Sequence, residues 1–192
     1  CFYLNSITIK AQITEVVSGL SSPYGLAVDQ ASNLYISESG AVNGNKISFM
    51  FLADQVPQVF DLFTNNLDTP TRLKIADNYL YVVETGSSQI SRFNMLVAPP
   101  QMLPYVTSGL TGPIGLDVKD NVLYVGDYGS YAIKKINTNV TPFQTSFLDN
   151  DLATDIVVDG AYFYFANPDY GKVYVNTILN PSPIGTEIAA GI

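Results

Sequence analysis

The chain has 192 residues, a formal net charge of −8 and no histidine. Without histidine it can form neither a Ser-His-Asp triad, nor a Cys-His dyad, nor the commonest zinc sites, and one cysteine allows neither an internal disulfide nor a thiolate metal cluster. Nine Lys+Arg against 17 Asp+Glu make a poor nucleic-acid binder, whereas 47% hydrophobic residues with 13 Tyr and 10 Phe suit a β-rich globular chain and not a disordered acidic tail.

Residues 1–11, Cys1-Phe2-Tyr3-Leu4-Asn5-Ser6-Ile7-Thr8-Ile9-Lys10-Ala11, are mostly apolar and end on a small residue. They read as the remnant of a secretory signal peptide with cleavage after Ala11. An ordinary strand with Ile7 and Ile9 inward, or a lipidated Cys1, are the alternatives. Export fits the near absence of cysteine. No uninterrupted apolar run approaches the ~18–20 residues of a membrane-crossing helix.

Residues 12–192 are organised by a repeat. Its first unit runs Ser18-Gly19-Leu20-Ser21-Ser22-Pro23-Tyr24-Gly25-Leu26-Ala27-Val28-Asp29, then Leu34-Tyr35-Ile36-Ser37-Glu38, then strand-like runs at 46–51 and 58–63, with the insertion 41–45 between. The second runs Leu67-Asp68-Thr69-Pro70-Thr71-Arg72-Leu73, then Leu80-Tyr81-Val82-Val83-Glu84 and 89–93. The third repeats Leu110-Thr111-Gly112-Pro113-Ile114-Gly115-Leu116, Leu123-Tyr124-Val125-Gly126-Asp127, 132–136 and 143–148. A degenerate fourth follows with Leu152-Ala153-Thr154-Asp155-Ile156, Phe163-Tyr164-Phe165-Ala166-Asn167 and 172–175. The leading residues Leu20, Leu67, Leu110, Leu152 and Ile192 stand 40–47 residues apart. Thr186-Glu187-Ile188-Ala189-Ala190-Gly191-Ile192 matches Thr14-Glu15-Val16-Val17-Ser18-Gly19-Leu20, so a fifth unit starts at the C-terminus.

Each unit carries about four short β-branched or aromatic runs separated by turn residues such as Asp77-Asn78 and Asp120-Asn121, with no helical period. Four strands per unit predict an all-β β-propeller: four blades of four antiparallel strands, each blade hiding its apolar faces against its neighbours. The pattern Pro-x-Gly-Leu-x-Val, a turn, Leu-Tyr-Val-x-Asp/Glu and a Lys/Arg-Ile strand resembles the NHL-repeat family. It departs in the second unit, where Arg72 replaces glycine, and in the fourth, which lacks both proline and glycine. The resemblance implies a six-bladed ring, of which four units form an open part; a closed four-bladed ring is the alternative.

In a propeller blade the loop entering the innermost strand and the loop leaving the second strand share one rim. That rim collects Glu38, Glu84, Asp127 and Asp169 as candidate ligand residues, beside Ser22, Thr69 and Thr111. Convergent carboxylates suit a hard cation such as Ca²⁺ or a cationic or sugar-like ligand. The competing role is structural, with each carboxylate accepting hydrogen bonds from turn N–H groups in the loop that follows. Arg72 and Asp155 both replace the repeat glycine near the channel mouth, where they pair across the channel, grip an anionic ligand or stay solvated. Tyr35, Tyr81, Tyr124 and Tyr164 recur at one position and read as packing between blades and not as a carbohydrate platform.

Two functional readings follow. The first is an exported, non-catalytic scaffold that binds a protein or small-molecule ligand through its rim and needs no cofactor; a purely structural surface module is its close variant. The second, implied by resemblance to six-bladed lactonase and strictosidine-synthase-like propellers, is an esterase-like enzyme with a central divalent cation whose bound water is the nucleophile.

Overall fold

The apolar runs become strands, and their order in space is their order in the chain. The computed structural model describes residues 15–40, 45–54, 58–141, 143–149, 151–179 and 185–190. The signal remnant expected at 1–11, most of the insertion and the fifth unit starting at Ile192 lie outside them.

The first blade contains β1 (Pro23–Val28), β2 (Asn33–Ser39), β3 (Asn45–Phe51) and β4 (Phe60–Phe63). The second contains β5 (Pro70–Ala76), β6 (Tyr79–Glu84), β7 (Gln89–Asn94) and β8 (Leu103–Val106). The third contains β9 (Pro113–Lys119), β10 (Val122–Asp127), β11 (Ala132–Asn137) and β12 (Gln144–Asp149), with a 3-10 turn at Tyr128–Ser130. The fourth contains β13 (Asp155–Asp159), β14 (Tyr162–Asn167), β15 (Lys172–Thr177) and β16 (Thr186–Ala190). Each blade is an antiparallel four-stranded meander. The phrase at 186–190 is therefore the outer strand of the fourth blade. Among the described residues, no helix is long and apolar enough to cross a membrane.

Turn chemistry sets the first hairpin of the second and third blades. Asp77-Asn78 and Asp120-Asn121 all have positive φ, 50° and 64°, then 52° and 55°. A two-residue turn that follows the right-handed twist of its strands requires this at both positions, and Asp and Asn tolerate it better than most residues.

Register makes the blades equivalent. Leu26 pairs with Ile36, Leu73 with Val82, Leu116 with Val125 and Ile156 with Phe165. Three cores lie between successive blades. Tyr35 and Ile47 meet Leu73, Leu80 and Val82; Tyr81, Val83 and Ile90 meet Leu116, Leu123 and Val125; Tyr124 and Ile133 meet Ile156, Phe163 and Phe165. The recurrent tyrosines are thus core residues in the first three blades, while Tyr164 is half-buried.

The inner strands touch in succession, β1 with β5, β5 with β9 and β9 with β13. The repeat glycine permits this approach. A Cβ on Gly25 would lie 2.2 Å from the Thr71 carbonyl oxygen, and one on Gly115 would lie 3.2 Å from Asp155 Cα. Hydroxyls tie the same seam: Ser37 Oγ donates to the Thr71 carbonyl at 2.5 Å, and Thr85 Oγ1 to the Pro113 carbonyl at 2.7 Å. Among the described residues β13 and β1 make no comparable contact, and the arc is open there.

Candidate functional site

The rim carboxylates of the first three blades stand at the end of the second strand, Glu84 and Asp127 as its last residue and Glu38 one before it, and each reaches back to the loop that enters its own blade. Glu38, fully buried, accepts the Ser21 N–H at 2.7 Å and Ser48 Oγ at 2.5 Å. Glu84, also fully buried, accepts the Asp68 N–H at 2.9 Å, Gln89 Nε2 at 3.0 Å and Ser91 Oγ. Asp127 accepts the Thr111 N–H at 3.0 Å, the Gly112 N–H at 2.8 Å, Ser130 Oγ at 2.7 Å and the Lys134 ammonium. Lys134 in turn donates to the Gly109 carbonyl at 2.7 Å. Burial opposes the Asp127 charge, but the bonds from Lys134, Ser130 and Thr111 outweigh it and hold this carboxyl below its ordinary range.

Each carboxylate is therefore a staple between the incoming loop, strand two and strand three. The N–H donors come from the loop before the inner strand, not from the loop after the second strand as the sequence suggests. The reason is geometric: the entering loop crosses directly over the strand-two end, as the Thr85 N–H to Thr69 carbonyl bond (3.1 Å) shows.

The fourth member of this series is Asn167, not Asp169. Asn167 pairs with Lys172 as Glu38 pairs with Lys46 and Glu84 with Gln89. It is buried, its Nδ2 donates to Asp151 Oδ1 at 2.5 Å, and its Oδ1 accepts the Asp169 N–H at 3.0 Å. Asp169 itself lies exposed in the following turn.

Arg72 and Asp155 do come together. Arg72 Nη2 lies 3.0 Å from Asp155 Oδ2 and donates to the Thr154 carbonyl at 3.4 Å, so β5 is bridged to β13 past the intervening blade. A second ion pair lies beside it: Lys74 Nζ is 2.6 Å from Asp117 Oδ1, and Asp117 Oδ2 accepts the Val158 N–H at 2.7 Å. Asp117 thus touches the second and fourth blades from the third. Sequence reasoning missed this pair. Its signal is that the residue after the repeat leucine is Ala27 in one unit but Lys74 and Asp117 in successive ones, opposite charges at one repeat position.

Tyr35, Tyr81 and Tyr124 are buried, and the hydroxyls of Tyr35 and Tyr81 are engaged by Asp29 and Arg92. Burial, together with the Asp29 carboxylate 3.2 Å from its hydroxyl, pushes Tyr35 up to about 12.

Four antiparallel blades stacked through their faces about one axis define a β-propeller. Solved structures agree. The chain superposes on selenomethionine-substituted virginiamycin B lyase from Staphylococcus aureus with a TM-score of 0.64 at 15% identity, over 82% of this chain and 53% of that one. The computationally designed Ika4 protein matches with a TM-score of 0.60 at 16% identity, over 87% of this chain and 99% of that one. The designed Ika8 protein gives 0.55 at 14% identity, over 86% and 47%. The chain spans about half the length of the lyase, and at these identities the likeness establishes the fold alone. No protein-family model and no curated protein matches the sequence.

Proposed function

We propose that this chain is part of an exported, NHL-like six-bladed propeller that serves as a non-catalytic binding scaffold, presenting its rim loops to a protein or small-molecule ligand. The observation that carries the reading is the engagement of Glu38, Glu84 and Asp127. Each is held inside its own blade by backbone N–H groups and by a hydroxyl or ammonium donor. Stapling of this kind fixes the shape of the rim and spends the acceptors a central cation would need. Among the described residues, no three His, Cys, Asp or Glu side chains are grouped to hold a metal. The donor set of the described residues therefore does not fit a central divalent ion. The six-bladed and NHL assignments rest on the repeat phrases, and export rests on residues 1–11.

Calorimetric titration with Ca²⁺ and an aryl-ester hydrolysis assay, with and without the ion, test the reading. No saturable heat and no turnover above buffer are expected. Stoichiometric Ca²⁺ binding accompanied by Ca²⁺-dependent hydrolysis would overturn it in favour of the esterase-like alternative.

A further inference from the structure

Lys46, Arg72, Lys74, Lys134 and Lys172 each stand within ion-pair distance of a carboxylate. Arg92, Lys119 and Lys135 do not, among the described residues, and of these three Arg92 is the one set against aromatic rings. Its guanidinium is set among tyrosines: Cζ lies 3.5 Å from the ring centroid of Tyr105, 4.0 Å from that of Tyr79 and 5.8 Å from that of Tyr81. Nη1 donates to the Tyr81 hydroxyl at 3.2 Å. A guanidinium this close to ring centroids lies against them by its flat faces. Among the described residues the guanidinium N–H donors of Arg92 make one hydrogen bond, that to Tyr81.

The edge of the Arg92 guanidinium borders a cavity of about 370 Å³, walled also by Asn94, Val97, Gln101 and Leu103. The volume falls within the range of small-molecule pockets. The cavity sits on the outer part of the second blade, toward the end of the blade opposite the carboxylate rim. Its wall is braced from the third blade, where Phe143 packs on Tyr105 with ring centroids 5.0 Å apart.

The fold does not require a cation here. Register places a cation here in two blades, Arg92 opposite Tyr81 and Lys135 opposite Tyr124, and an apolar side chain in the other two, Phe49 opposite Tyr35 and Val175 opposite Tyr164. In the first blade Phe49 packs on Phe51 and Phe60, with centroids 5.3 and 5.5 Å apart, so apolar groups fill the equivalent place. A charge held by stacking, without a counter-ion among the described residues, in a protein of net charge −8, is placed to be neutralised from outside. The edge of a guanidinium matches a carboxylate in its own plane through two parallel hydrogen bonds.

We infer that this cavity is a binding site for a small planar monocarboxylate. The carboxylate lies on the Arg92 edge, its apolar body lies against Val97 and Leu103, and the Gln101 amide and Asn94 Nδ2 face polar substituents, Asn94 Oδ1 being held by the Leu96 N–H at 2.9 Å. The site is independent of the rim and goes beyond the scaffold reading.

The test is a titration of the whole chain with benzoate, followed by calorimetry and by amide chemical shifts, with benzamide as the neutral isostere. Benzoate is expected to bind saturably at one site, at least tenfold tighter than benzamide. Arg92→Gln is expected to raise the Kd at least tenfold. Arg92→Lys, which keeps the charge but loses the fork, falls between. Leu103→Asp changes an exposed position and places a negative charge in the cavity; it weakens binding at least tenfold and keeps the reading decidable if Arg92→Gln fails to fold. Absence of saturable binding, equal affinity for benzamide, or a Kd untouched by both Arg92→Gln and Leu103→Asp overturns the proposal.

Discussion

Asp127 and Lys134 form a buried ion pair with every remaining acceptor lone pair directed at an N–H or a hydroxyl. Such a pair is weak evidence of net stability, yet breaking it from one side is costly, because a buried charge is left uncompensated. Asp127→Asn leaves the Lys134 ammonium facing an amide and is expected to cost about 3–5 kcal/mol, read from urea unfolding. The pH dependence has a definite sign. A carboxyl held below its ordinary range contributes stability that is complete above its unfolded pKa of about 3.9 and is lost as pH falls through the folded value. Wild type is therefore expected to lose stability on acidification below about pH 4 more steeply than Asp127→Asn. Parallel stability–pH curves would remove the staple from that slope. The Arg72–Asp155 pair is different, since its side chains are 28% and 47% exposed. Water and salt screen it, and a double-mutant cycle is expected to return a coupling of about 1 kcal/mol or less.

At the scale of the element, the repeat supplies an internal control. Leu26 and Leu116 occupy the same position on the innermost strand, but Leu116 is buried against the preceding blade and Leu26 is 61% exposed. Leu116→Ala is expected to cost about 2–5 kcal/mol, and Leu26→Ala less than about 0.5 kcal/mol, in the same denaturation experiment. Similar costs would mean that the Leu26 face is covered in solution as the Leu116 face is. The repeat was legible in the sequence because strand, turn and core each recur with the period of the unit. The Arg72–Asp155 contact was legible because both residues break the same glycine position. What stayed hidden is whatever does not recur. Asn167 escaped a search for carboxylates because an amide performs the stapling in the fourth blade, where the donor position opposite Phe165 has become Tyr174, stacked on that ring with centroids 5.2 Å apart. The Arg92 cavity escaped because its walls come from two strands of one blade, a loop and a third strand, which no spacing in the chain brings together.

For the molecule as a whole, the consequence of an open arc is two unlike apolar faces. The first blade turns Tyr24, Leu26 and Val28 to solvent, at 49%, 61% and 54% exposure, on the side that buries Leu73, Leu116 and Ile156 in the other blades. The fourth blade turns Val157, Tyr162 and Ile188 outward at 55%, 49% and 52%, on the side that buries Tyr81, Val106 and Ile90 in the second. These are the two halves of the interface that joins every pair of neighbouring blades. Soluble monomers rarely leave such contiguous apolar surface open. In a ring with further blades the halves are filled within one molecule. Where the described residues leave them uncovered they can meet between molecules, and a contact between two unlike faces propagates head to tail unless its rotation closes. Sedimentation velocity across a concentration series is expected to show an average mass that rises with concentration. Leu26→Asp and Val157→Asp should each suppress the rise, because a contact between unlike faces fails when either half is charged. The two monomeric variants, mixed, should remain monomeric only in part, since each retains one intact half and the pair can form a single capped dimer through the two wild-type faces. A wild-type chain that stays monomeric throughout, or variants that associate as it does, would show that the open faces are not blade-like halves of one interface.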